Sequence, residues 1–280
     1  MIFDDTICLL GEGPLWHPER KQLFWFDIMG RTLHTKGRHW GFDNFVSAAG
    51  WLDHDHLLVA SSLALSRFSL TTGVSEIICP LEADNPVTRS NDGRADPYGG
   101  FWIGTMGIKA EAGAGSIWRY YKGELRRLFA DITVSNAICF APDGTTAYFS
   151  DTRTQLIMRQ RLDPRDGWPV GDPQVHIDLR GTAIWPDGAV VDAAGNLWNA
   201  QWQSAQVATY GPDGKYLFDT PFPASQTTCP AFGGPQLSTL FCTSAAVGLP
   251  QSHIAEHPAS GRTFGIETRH KGQREHRVIL

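Results

Sequence analysis

Glu12, Asn136 and Asp187 are the residues of this 280-residue chain best suited to hold a cation. Together they offer two carboxylates and an amide oxygen, a hard-oxygen set that suits Ca²⁺, Mg²⁺ or Mn²⁺ and is possible for Zn²⁺. Two carboxylates brought together without a counter-charge repel each other and drive a pKa sharply upward, so one divalent metal ion is the simplest resolution. Three protein ligands also leave coordination positions open for water and substrate, as catalysis requires. The three lie far apart in the chain, so the elements around them must do the gathering.

Those elements are repeats. Apolar runs recur at Leu23-Phe24-Trp25-Phe26, Leu57-Leu58-Val59-Ala60, Phe101-Trp102-Ile103-Gly104, Ala147-Tyr148-Phe149-Ser150, Leu197-Trp198-Asn199-Ala200 and Leu240-Phe241-Cys242-Thr243. Each reads as a buried strand. Turn chemistry precedes every one, for example Pro142-Asp143-Gly144 and Asp192-Ala193-Ala194-Gly195, and another apolar segment precedes each turn, so each repeat contains a hairpin. Further alternating stretches downstream, such as Ser116-Ile117-Trp118-Arg119-Tyr120, bring the count to about four strands per repeat, the number in a propeller blade. Six blades of roughly 45 residues fill the chain. The expected fold is therefore all-β: a six-bladed β-propeller with four-stranded antiparallel blades around a central channel, occupying residues 1–280 as a single domain. An irregular β-sandwich is the competing all-β reading.

Aligned on their turns, the segments leading into the hairpins begin at Glu12, Ser47, Asn91, Asn136, Asp187 and Cys229. If those segments are the innermost strands, all six side chains face one another at one end of the channel. Each also has an ordinary alternative. Asn91 and Asn136 could cap turns, Asp187 sits in a Pro-Asp-Gly turn signature, and Cys229 reads as a small buried residue without a histidine partner. Trp16 and Trp185 neighbour the acids and are expected to wall the pocket.

Bulk composition narrows the partners. Hydrophobic residues make up 42% and charged residues 19%, with a net charge of −5, which gives no general attraction to phosphate backbones or anionic lipid; nucleic acid and membrane are not expected partners. The opening Met1-Ile-Phe-Asp-Asp carries acids where a secretory leader carries Lys or Arg, and five cysteines without CxxC pairing argue against a disulfide framework. The expectation is a cytoplasmic protein, monomeric or weakly homo-oligomeric, with a small-molecule partner. No Gly-x-Ser-x-Gly elbow, His-Glu-x-x-His or Walker loop is present, which removes the commonest hydrolase and nucleotide alternatives.

The segments Gly11-Glu12-Gly13-Pro14-Leu15-Trp16, Arg89-Ser90-Asn91-Asp92-Gly93-Arg94-Ala95-Asp96-Pro97, Gly104-Thr105-Met106, Ser135-Asn136-Ala137, Pro142-Asp143-Gly144 and Trp185-Pro186-Asp187-Gly188 form an ordered set. It resembles the SMP-30/gluconolactonase/regucalcin-like (LRE) family. The resemblance implies a six-bladed propeller with one divalent metal ion (Ca, Zn, Mg or Mn) in the channel. It also implies hydrolysis of a sugar-acid lactone, a gluconolactonase-like, metal-dependent ester hydrolysis. Carried over by motif, Glu12, Asn136 and Asp187 are the metal ligands, Asp187 is also the general base, and Arg89 and Asn91 bind substrate. Where some members carry an acidic substrate-contacting residue, this chain reads Gly107-Ile108-Lys109, which turns Lys109 toward the substrate. Ala137 stands where the family has glycine. The residues from 257 to 280 keep only loose similarity and are expected to complete the last blade with the N-terminal strand. A non-catalytic, calcium-binding, regucalcin-like regulator is the alternative from another class.

Overall fold

The computed structural model describes residues 1–280. Its strands form six four-stranded antiparallel sheets, the six blades of a β-propeller. The innermost strands are Gly11–His17, Val46–Asp53, Thr88–Ala95, Ser135–Phe140, Trp185–Val191 and Thr227–Gly233. Five blades follow sequence order from the channel outward. Burial falls along the same direction: Gly11–His17 is buried throughout, whereas the outer strands Ser75–Pro80 and Tyr216–Pro221 are mostly exposed.

The core is not one mass but six apolar clusters, one between each pair of adjacent blades. Trp102 and Ile117 of blade 3 pack on Phe140 and Phe149 of blade 4. Blade 6 meets blade 1 through Trp16, which stacks on Phe241 with ring centroids 5.8 Å apart. Burying large aromatics at every seam holds the ring closed, because removing any blade would expose two such faces. Trp16 is thus a seam residue rather than the pocket wall that its neighbour Glu12 suggested.

The last blade carries the ring closure. Its strands run Thr227–Gly233, Thr239–Ser244 and Thr263–Glu267, and the N-terminal strand Ile2–Asp4 forms its outer edge. The two chain ends do complete this blade, but only as far as Glu267. Residues 268–280 run instead across the channel at the hairpin ends of the inner strands. Gln273 Nε2 donates to the carbonyls of Phe140 and Val191, Trp51 Nε1 donates to Glu275 O, and the backbone N–H of Val278 donates to Trp51 O. The carbonyls of Phe140, Val191 and Trp51 are inner-strand backbone that a four-stranded ladder leaves free, and the buried Trp51 indole N–H needs an acceptor as well, which is why the segment lies there and not in the blade.

Every innermost strand breaks register with its neighbour soon after it starts: between Glu12 and Leu15, Val46 and Ala48, Ser90 and Gly93, Asn136 and Cys139, Pro186 and Ala189, and Thr227 and Pro230. Such bulges re-aim side chains that simple alternation would turn sideways. Gly13 sits at φ 53° in the bulge of blade 1, where a Cβ would collide with the Ser47 carbonyl. Ala137 takes the equivalent left-handed conformation at φ 57°, at a cost of about 1 kcal/mol for a residue with a Cβ.

Candidate active site at one mouth of the channel

Two aspartates fix the strands that enter the site. Asp27 accepts the backbone N–H groups of Leu9, Leu10 and Gly30, each at 3.0 Å, and so clamps the approach to Glu12. Asp151 does the same for blade 4, accepting from Thr133 at 2.8 Å, Val134 at 3.0 Å and Arg153 at 3.1 Å ahead of Asn136. With the entry points held and the bulges in place, Glu12, Ser47, Asn91, Asn136, Asp187 and Cys229 are all buried.

The side chains at this mouth fall into a carboxyl pair and a hydrogen-bonded chain of amides. The Glu12 and Asp187 carboxyls are buried neighbours, each acting on the protonation of the other. Each also accepts a backbone N–H, from Gly13 at 3.0 Å and from Gly188 at 3.1 Å. Arg89 Nη1 donates to Asn91 Oδ1 at 2.7 Å, and Asn91 Nδ2 donates to Asn136 Oδ1 at 3.3 Å. Ser47 bonds Ser90 at 2.8 Å beside them. Lys109 stands apart: it is exposed on the 108–114 loop, with its backbone N–H bonded to Glu111. Trp185 is half-buried at the start of the strand that carries Asp187, with the Arg153 guanidinium 5.8 Å from its ring centroid.

Electrostatics set this mouth apart. Burial, then the Asp92 charge, pushes the Glu12 carboxyl upward, and burial, then Glu12, pushes Asp187 well above the carboxylate range. Burial alone lifts Asp92 to about 6 against the pull of the Ile138 N–H and Arg94. Arg89, brought down to about 10 by burial, remains cationic at neutral pH and is the positive charge acting on both Glu12 and Asp187. Burial also raises the Cys229 thiol, which keeps it an unreactive thiol.

No group of three or more His, Cys, Asp or Glu side chains gathers as a metal centre. The donor set here would take its third oxygen from an amide, and two buried carboxyls held above the carboxylate range, with one guanidinium to balance them, are chemically matched to a divalent cation. In the ion-free protein the acids bind more protons folded than unfolded, so stability is expected to fall as pH rises from near 4 toward 8, the folded value of Glu12 being about 8. Thermal unfolding of EDTA-treated protein at pH 5 and pH 8 measures this; a midpoint that rises with pH would contradict the burial of Glu12 and Asp187 as unbalanced acids.

Three participants have roles with no counterpart in local sequence pattern. Asp92 lies within a motif noted for its neighbours, yet its buried carboxylate accepts the Ile138 N–H at 2.7 Å across two blades and so braces the bulge below Asn136. Arg94 pairs with Glu275 of the C-terminal segment in the channel below, a contact between residues with no local relation. Thr152 bonds Asn136 from the far end of the blade 4 hairpin.

Comparison with known proteins places the chain in a family. Residues 10–246 match the profile of the SMP-30/Gluconolactonase/LRE-like region. The chain belongs to that family. Its SMP-30/Gluconolactonase/LRE-like propeller superposes on a solved calcium-binding protein, regucalcin, from Agrobacterium tumefaciens with a TM-score of 0.97 and 43% identity, covering 100% of this chain and 97% of the other. A Rhizobium meliloti (strain 1021) protein provisionally named as a sugar lactone lactonase is 39% identical across 95% of this chain and 92% of its own. The L-arabinolactonase of Azospirillum brasilense is 34% identical across 97% of this chain and 92% of its own. Lactone-opening names thus recur among the relatives of this SMP-30/Gluconolactonase/LRE-like chain. No helix is long and apolar enough to cross a membrane.

Proposed function

We propose that this protein is a metal-dependent lactonase that opens a sugar-acid lactone, with Glu12, Asn136 and Asp187 as metal ligands and Asp187 also as general base. The observation that supports this reading is the mutual influence of the buried Glu12 and Asp187 carboxyls from two blades, with Arg89 acting on both and hydrogen-bonded through Asn91 to Asn136 of the blade between. Once bound, a divalent ion supplies Lewis acidity at the ester carbonyl and lowers the pKa of water nearby.

The chain supplies the rest. Asp187 accepts a proton as the water oxygen attacks the carbonyl carbon. The ring C–O bond then breaks and the departing oxygen recovers that proton, leaving the open hydroxy acid without a covalent enzyme intermediate. Arg89 keeps its charge and is held by Ser90 O at 2.9 Å and Asn91 Oδ1, so it can donate to sugar hydroxyls and balance the negative charge that develops on the carbonyl oxygen. Asn91 shares that role. Lys109, exposed on its loop, meets polar substituents at the rim; Lys109→Ala is expected to raise KM less than about tenfold and to leave kcat near wild type, since an exposed cation contributes little.

Five free cysteines suit a reducing compartment, the cytoplasm. A non-catalytic calcium-binding regulator is the second reading, favoured by the name of the Agrobacterium tumefaciens structure; it gives no role to Arg89 and Asn91. A panel of aldonolactones assayed with EDTA-treated protein and with Ca²⁺, Mg²⁺, Mn²⁺ or Zn²⁺ restored separates the two. Hydrolysis that disappears on stripping and returns with an ion supports the lactonase, whereas hydrolysis no faster than buffer in every arm, with ion binding intact, leaves the regulator.

A further inference from the structure

Four hydrogen bonds at this mouth share one direction. Arg89 Nη1 donates to Asn91 Oδ1, Asn91 Nδ2 to Asn136 Oδ1, Asn136 Nδ2 to Thr152 Oγ1 at 2.8 Å, and Thr152 Oγ1 to Pro186 O at 2.7 Å. The chain crosses from blade 3 through blade 4 to blade 5 and stops one residue short of Asp187. Its two ends fix its sense: a guanidinium can only donate and a carbonyl can only accept. Between them a hydroxyl has a single hydrogen. Because Thr152 gives that hydrogen to Pro186 O, its lone pairs face Asn136, and the atom of Asn136 that meets them must be the NH₂ group.

We infer that Thr152 is a positioning residue for the reaction: its hydroxyl takes the NH₂ end of the Asn136 amide and so leaves the oxygen end for the ligand role proposed above, and it ties that amide to the backbone that carries Asp187. Were the amide reversed, Nδ2 would point at the site and present hydrogens where an oxygen donor is needed. Asn136 Oδ1 accepts only the long 3.3 Å bond from Asn91, so a lone pair remains for a cation. Thr152 is itself held, because Asp151 caps the short 3₁₀ turn Thr152–Thr154 by accepting the N–H of Arg153. The inference rests on the ligand role proposed above for Asn136, but the orientation of the amide is a property of the ion-free chain and can be read without any ion.

The test compares wild type with Thr152→Val, which keeps the shape and removes the hydroxyl, and Thr152→Ser, which restores it. In ion-free protein the Asn136 side-chain NH₂ resonances, assigned by their loss in Asn136→Asp, are expected to shift in the valine variant and to return toward wild-type positions in the serine variant. In Mn²⁺ titrations by calorimetry the valine variant is expected to bind about 10- to 100-fold more weakly, the range typical for losing a group that orients a ligand, with serine within a few-fold of wild type. Thr152→Ala repeats both measurements if the valine variant is poorly folded. Unchanged Asn136 resonances in a folded variant lacking the hydroxyl overturn the inference, as does undiminished Mn²⁺ affinity in a wild type that binds the ion. A wild type that binds no divalent ion defeats the metal-dependent function instead, and the resonance comparison then still decides the role of Thr152.

Discussion

Asp187→Asn protein is expected to open lactones about 100- to 10,000-fold more slowly than wild type, the range associated with losing a general base, while its ion-free form becomes more stable at pH 8. The two changes have one cause. Asp187 is pushed well above the carboxylate range by burial and then by the Glu12 charge beside it, and Glu12 is itself pushed up by burial and Asp92. Replacing Asp187 with a neutral amide removes a buried acid whose ionisation folding opposes, so folding no longer works against that charge at high pH. A residue with a purely structural role would lose activity and stability together. Opposite movement of the two, seen in initial rates on the best lactone of the panel and in thermal unfolding after EDTA treatment, is the signature of a group kept in a costly position for chemistry. Near-full turnover by the asparagine variant would remove Asp187 from the mechanism.

Glu275→Ala is expected to lower unfolding stability by about 3–5 kcal/mol, as is typical when a buried ion pair loses one partner. The Arg94 and Glu275 side chains are 10% and 7% exposed, and each is the other's ion-pair partner. Removing the carboxylate leaves a guanidinium in the channel with Asp92 as the remaining carboxylate acting on it, and Asp92 is already engaged by the Ile138 N–H. Urea unfolding measures the loss. A double variant, Arg94→Met with Glu275→Leu, is expected to recover most of it, because a well-packed apolar pair avoids the desolvation that the ion pair carries. A loss below about 1 kcal/mol for the single change would mean that water already reaches the pair, since exposed pairs contribute at that level.

Both results depend on how the channel is built, and here sequence and structure divide the work unevenly. The blade pattern was legible because it is local: apolar runs such as Ala147-Tyr148-Phe149 and turns such as Pro142-Asp143-Gly144 lie within a few residues of one another, and strand–turn–strand chemistry acts over that distance. The ring positions followed from the same alignment. Glu12, Asn136 and Asp187 each open an inner strand, and equal register in six similar repeats means equal height in the channel. Trp16 shows the limit of reasoning from neighbours, for it is four residues from Glu12 yet packs in the seam with blade 6.

The roles of Asp92, Thr152 and the segment 268–280 could not be read in this way. Asp92 needs Ile138, 46 residues on, before its acceptor function exists. Glu275 needs Arg94, 181 residues away, and both need the channel that encloses them.

The amino-acid sequence by itself determined the repeat, the strand count and which polar residues open each inner strand, because periodicity and turn residues are short-range properties. Only the tertiary structure decided the bulges that aim those residues inward, the one-way hydrogen-bonded chain that orients their amides, and the course of the C-terminal segment across the opposite mouth. These depend on contacts between blades, where the partner of each donor or charge is fixed by ring closure and not by distance along the chain.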